Sequence, residues 1–121
     1  YKVFSTGTVQ NATGSYGTLS DIKLKENVVD ATPKLDKLMQ VKVRNFNLIG
    51  DELKQIGFVA QEIEQVFPGL VEECPDYDSE GKPTDTTSKG VKTTVLIPIL
   101  VKAIQELNAK VTALEAQLGA K

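Results

Sequence analysis

The stretch "LIPILVKAIQELNAKVTALEAQLG", residues 96–119, carries the clearest periodicity in the chain. Ile97, Leu100, Ile104, Leu107, Val111, Leu114 and Leu118 recur at alternating spacings of three and four. That is a heptad seam, with Ile97, Ile104, Val111 and Leu118 at a, and Leu100, Leu107 and Leu114 at d. The spacing predicts one long helix. Pro98 falls in the first turn, where proline is tolerated, and Gly119 follows the last seam residue as a stop signal. The opposite face carries Lys102, Gln105, Glu106, Lys110 and Thr112. So narrow an apolar stripe calls for a partner helix, and we expect a homo-oligomer; the alternative is a helix packed on its own domain. β-Branched residues at a with leucine at d lean toward two strands in isolated peptides, but attached domains override that lean, so the periodicity leaves the order open.

Upstream of the helix the chain alternates short elements. "TPKLDKLMQ", residues 32–40, reads as a short helix with Pro33 in its first turn and Leu35, Leu38 and Met39 on one face. "VKVRNFNL", residues 41–48, reads as a strand with a bulge between Val43 and Phe46. A turn and short strand follow, then a helix over Val59–Phe67, ended by Pro68-Gly69. Residues 74–90, "CPDYDSEGKPTDTTSKG", read as a long polar loop without structure of its own. Its Asp76-x-Asp78-x-Glu80-Gly81 run opens like a calcium loop. Thr87 stands where the bidentate glutamate belongs and Pro83 interrupts it, so a solvated turn is preferred. At the other end, residues 1–19 are rich in Gly, Ser and Thr with β-formers between them, which predicts short strands and turns. Asn11-Ala12-Thr13 fits a glycosylation acceptor, a pattern common by chance.

Composition narrows the chemistry. The chain has 121 residues, enough for one modest domain, and no initiator methionine, so we expect a piece of something longer. Net charge is −2 with no basic stripe, which argues against nucleic acid as the partner. The longest apolar run, Val95–Val101, is too short to cross a bilayer. A single cysteine, Cys74, and the absence of histidine remove intrachain disulfides, multi-cysteine and histidine zinc sites and histidine bases. We expect no metal and no cofactor.

What remains is "TLSDIKLKEN", residues 18–27, with Ser20 beside Asp21 and ahead of Lys23 and Lys25. Without histidine, a serine nucleophile needs another base, and lysine is the common substitute. An ordinary lysine, with a pKa near 10.4, is almost wholly protonated at neutral pH, so it would have to be desolvated, for example at an oligomer interface. Asp21 would oppose this if it touched the lysine, and is expected to cap or bind a turn instead. Positions 20 and 25 face opposite sides of a regular strand and meet only if the chain turns between them or the lysine comes from another subunit. By residue type and spacing alone, the pair does not stand above chance.

"LSDIKLKENV", Leu19–Val28, resembles the opening motif of the C-terminal intramolecular chaperone domains of bacteriophage tail spikes, tail fibres, neck appendages and endosialidases. The likeness continues through "VRNFNL", "QIGFVAQEIEQVFPGLV" and the seam helix, from about Ser20 to Leu118. A related domain resembles the self-cleaving segment of the membrane-bound myelin regulatory factor. The resemblance implies an α+β homotrimer, with short N-terminal strands, a small α/β arm over residues 20–96 and a three-stranded coiled coil over residues 97–118. It implies that residues 1–19 are the end of a β-rich fibre shaft and residues 20–121 the chaperone. The partners would be two further copies and the preceding fibre, with no membrane. Assembly would take place in the host cytoplasm, the parent protein residing in the virion tail and the chaperone being released. The implied activity is single-turnover self-cleavage by a serine endopeptidase, with Ser20 as nucleophile and Lys25 as base. A silent trimerisation module and a self-processing domain of a membrane-bound transcription factor are the alternatives.

Ring size bears on the bond. The Ser20 hydroxyl attacking the Leu19 carbonyl closes a five-membered ring, whereas attack on its own carbonyl closes a strained four-membered one. Within one chain this favours Leu19–Ser20; attack on a neighbouring subunit allows Ser20–Asp21.

Overall fold

The computed structural model describes residues 1–120. The chain divides into two compact units, Tyr1–Asp30 and a second beginning at Ala31.

The first unit opens with a small antiparallel hairpin. Strands β1 (Lys2–Val3) and β2 (Val9–Gln10) pair Lys2 with Gln10 and Val3 with Val9. Gly7 closes the turn at φ 89°, donating its N–H to the Phe4 carbonyl at 2.9 Å. The Asn11 side-chain oxygen then accepts from the backbone N–H groups of Thr13 and Gly14, and its amide nitrogen donates to the Ser15 carbonyl at 2.7 Å. The acceptor asparagine of the glycosylation pattern is thus the residue that organises a turn.

The second unit is built on a small apolar core. Helix α1 is one turn, Leu35–Leu38, with Pro33 just ahead of it. Strands β3 (Arg44–Phe46) and β4 (Gln55–Gly57) pair regularly, Arg44 with Gly57 and Phe46 with Gln55. The strand expected over residues 41–48 is therefore shorter and unbulged. The Phe46 ring lies over Gly57, where a Cβ would come within 3.2 Å of it, so a larger residue there would have to push the ring aside by a few tenths of an ångström. Helix α2 (Ala60–Val66) runs into a 3₁₀ turn at Pro68–Leu70 and meets the predicted stop. Ile63, fully buried, is packed with Phe67, Leu70, Leu96 and Ile99. Replacing Ile63 by Ala leaves a cavity at the centre of this cluster. We expect a loss of about 2–5 kcal/mol, read from denaturant unfolding, which a core this small tolerates poorly.

Residues 74–90 are not a loop. β5 (Val71–Tyr77) and β6 (Pro83–Val91) form an antiparallel hairpin, in register from Val71 opposite Val91 to Pro75 opposite Thr87. Most of both strands is solvent-exposed, so the period-2 apolar signal is missing, and two prolines and two glycines mask the β-forming threonines. The register breaks between Pro75 and Tyr77, and the Asp76 carboxylate gathers the slack. It accepts from Thr86 Oγ1 at 2.7 Å and from Ser88 Oγ at 2.5 Å. Asp78 accepts from the N–H groups of Glu80 and Lys82, and Gly81 turns at φ 81°. The calcium-like run is this hairpin turn.

Hydrogen bonds from Ser88 first, then Thr86, hold the Asp76 carboxyl below the usual range. A depressed carboxyl contributes stability above its ordinary pKa, near 4, and loses it as pH falls through the lower folded value. Thermal melts should therefore fall on acidification below about pH 4, and Asp76→Asn should flatten that acid limb.

Helix α3 (Leu96–Gly119) is the predicted long helix, with Ala120 as its C-cap. Leu96, Ile99 and Ala103 are buried on the second unit, and every described residue from Leu107 on is exposed. The helix is therefore docked by its N-terminal half while its seam stays open. Glu106, expected on the solvent face, instead accepts the backbone N–H groups of Lys34 and Leu35, at 2.8 and 3.2 Å. A helix of one turn with no side-chain cap of its own is thus capped from α3. Among the described residues, no helix is long and apolar enough to cross a membrane.

Candidate active site

Ser20 and Lys25 both lie in the first unit. The backbone is extended at Asp21 (φ −65°, ψ 137°) and then winds into a 3₁₀ turn over Ile22–Leu24. Asp21 starts that turn as its N-cap, its Oδ1 accepting the Lys23 N–H at 3.0 Å. The N–H groups of Leu24 and Lys25 close it onto the carbonyls of Asp21 and Ile22, each at 3.0 Å. This turn joins two positions that a regular strand would part. Lys25 Nζ donates to Ser20 Oγ at 2.7 Å.

Each neighbour in the motif has a distinct structural task. Asp21 commits its carboxylate to the cap and Lys23 contributes its backbone N–H. Asn27 sits in the left-handed region at φ 55°, the one non-glycine residue to do so among those described. Such a conformation costs most residues about 1–2 kcal/mol, and asparagine is among the few that adopt it readily. It sets the direction in which the chain leaves the lysine. Motif spacing marks Asn27 as part of the likeness, but only backbone geometry gives it a reason.

The pair is open to solvent, and Leu19, on the amino side of the serine, is 88% exposed. A nearby peptide bond is therefore accessible. A lysine acts as a base near neutral pH only where it is removed from water. Residues 19–27 are exposed throughout, so within this stretch the fold supplies geometry without desolvation.

The cap gives the arrangement a test. A side-chain N-cap is worth about 1 kcal/mol, so Asp21→Ala should slow any Ser20-dependent cleavage by roughly fivefold, while Asp21→Asn, also a good cap, stays near the parent rate. Intact-mass time courses of the three chains measure this.

The seam residues Ile97, Leu100, Ile104, Leu107, Val111, Leu114 and Leu118 form the second feature. Each is between 43% and 68% exposed, a continuous apolar stripe on a single helix.

Residues 20–72 match a peptidase family model described as chaperone of endosialidase. The chain is 36% identical over 104 residues, 82% of its length, to a long tail fiber protein of Enterobacteria phage K3, and likewise to that of Enterobacteria phage T2. A protein described as a probable tail fiber protein of Escherichia phage Phieco32 is 32% identical over 111 residues. The match spans 8%, 7% and 14% of the lengths of these three relatives.

Proposed function

This chain belongs to the chaperone-of-endosialidase family, and on that premise we propose that it is the C-terminal intramolecular chaperone of a phage tail fibre that cuts itself free. Three copies join through α3, guide the fibre that ends in residues 1–19, and then separate from it at Ser20. The observation that carries the reading is the 2.7 Å hydrogen bond between Lys25 Nζ and Ser20 Oγ in a chain without histidine.

The chemistry follows from the two side chains. Neutral Lys25 takes the Ser20 hydroxyl proton as Oγ attacks the Leu19 carbonyl carbon. The C–N bond to Ser20 breaks, the lysine's proton passes to the departing nitrogen, and an ester joins Leu19 to Ser20 Oγ. Water then opens the ester, leaving a carboxylate on Leu19 and a free amine on Ser20. Assembly supplies what the exposed pair lacks. When neighbouring copies cover it, the lysine loses water, its ammonium form is disfavoured, and the neutral amine that can take the serine proton becomes available. Cleavage then reports correct assembly, and removal of the guide leaves the fibre kinetically trapped.

The test is a longer chain that includes upstream fibre sequence. Intact mass should show two products, and N-terminal sequencing of the smaller should begin at Ser20. A start at Asp21 would move the cut to the next bond and point to attack between copies. A chain that stays whole while trimeric would leave only the structural trimerisation role.

A further inference from the structure

The first heptad of α3 differs from the rest. With Ile97 at a, the flanking g and e positions are Leu96, Val101 and Ala103, all apolar, whereas further along they are Asn108, Lys110, Glu115 and Gln117. Leu96 and Ala103 are buried within their own unit, but Val101 is half exposed. Beside this heptad, the second unit carries an apolar groove of about 310 Å³. Met39, Val41, Val43 and Phe58 line one side, and Leu96 and Leu100 of α3 line the other. Met39 and Val43 are well exposed, so the groove is open and hydrophobic.

Leu96 and Leu100, at g and d, place the groove on the g flank of the seam. In a parallel coiled coil the g flank of one helix faces the e flank of its neighbour, and a g residue meets the e residue of the following heptad. For Leu96 that residue is Val101. We propose that the groove receives Val101 of a neighbouring copy, so that the globular part of each subunit completes its apolar surface with the next subunit's helix. This rests on the parallel assembly through α3 in the proposed function. It accounts together for an apolar e residue confined to one heptad and for the open groove beside that heptad. It also couples the two events: the coiled coil cannot close at its N-terminal end until the α1 and β3–β4 elements have folded to form the groove.

Cross-linking tests it in a Cys74→Ser background. Two differently tagged chains, one carrying Met39→Cys and the other Val101→Cys, are co-expressed and treated with a bis-maleimide spanning about 10 Å, roughly the distance between packed helices. A third chain, Leu114→Cys, reports the seam. The expected result is a link between the two tagged chains and a link between Leu114→Cys copies. A seam link without the 39–101 link overturns the groove contact and leaves assembly through α3 standing. No seam link overturns both. In addition, Val101→Glu should raise the concentration at which the assembly dissociates by on the order of tenfold or more, while Gln105→Glu, at b, leaves it unchanged. Equal effects from the two would also overturn the contact.

Discussion

Ser20→Ala and Lys25→Ala should each stop the proposed self-cleavage, by roughly a thousandfold or more, and should leave the chain folded and able to assemble. The size follows from the roles. Removing Oγ removes the only proposed nucleophile, and removing Nζ removes the one group, among the described residues, in hydrogen-bond contact with it that can take its proton. The two losses should not add, because either one alone empties the same step. Both side chains are exposed, so their truncation creates no cavity and stability should hardly change. Lys25→Arg is the sharper variant. A guanidinium can still donate to Ser20 Oγ but cannot give up its proton to become a base. A lysine that merely positions the serine would be replaced by arginine with modest loss; a lysine that acts as base would not. Intact-mass time courses, with size-exclusion light scattering to check assembly, measure all of this. Cleavage by Lys25→Ala at the parent rate would remove Lys25 from the mechanism.

Some of this is legible in the sequence, and the rest is hidden for physical reasons. α3 is legible because seven apolar residues at heptad spacing fall on one stripe of a helix and on no single face of a strand. α2 is legible because Ile63 and its neighbours recur with the helix period and Pro68-Gly69 stops them. The β5–β6 hairpin reads as a loop because a strand exposed on both faces has no alternation to display. Glu106 reads as solvent-facing charge because its task, capping α1 from more than seventy residues away, depends on tertiary packing. Ser20 and Lys25 are singled out by resemblance, yet their spacing argues against contact. What brings them together is a 3₁₀ turn of three residues held by one aspartate cap, too short to leave a periodic signature. The Ser20–Lys25 contact is thus a local backbone feature, while the proposed mechanism assigns the desolvation it needs to the assembly.

That division of labour leads to the other large effect. Leu107→Lys should convert the assembly to monomers and abolish cleavage, although Ser20 and Lys25 are untouched. Leu107 is the central d residue of the seam, half exposed in the single chain, and lies beyond Leu96, Ile99 and Ala103, which dock the helix on its own unit. The subunit should therefore keep its fold, with α2, the two hairpins of the second unit and the Glu106 cap in place. In the assembly, however, the substitution puts one ammonium from each copy at the same buried layer. Taking each charge out of water costs several kcal/mol with no counter-charge at hand, more than the burial of the remaining seam leucines offsets in about three heptads. Light scattering should read the monomer mass, and circular dichroism should still show the folded subunit. Leu107→Ile, which keeps an apolar d layer, should still assemble and cleave. Cleavage is the deciding readout. If assembly desolvates the lysine, the monomer keeps the 2.7 Å pair and does nothing with it. A monomeric Leu107→Lys chain that cleaves at the parent rate would separate cutting from assembly, and an assembled Leu107→Lys chain would place the interface somewhere other than this seam.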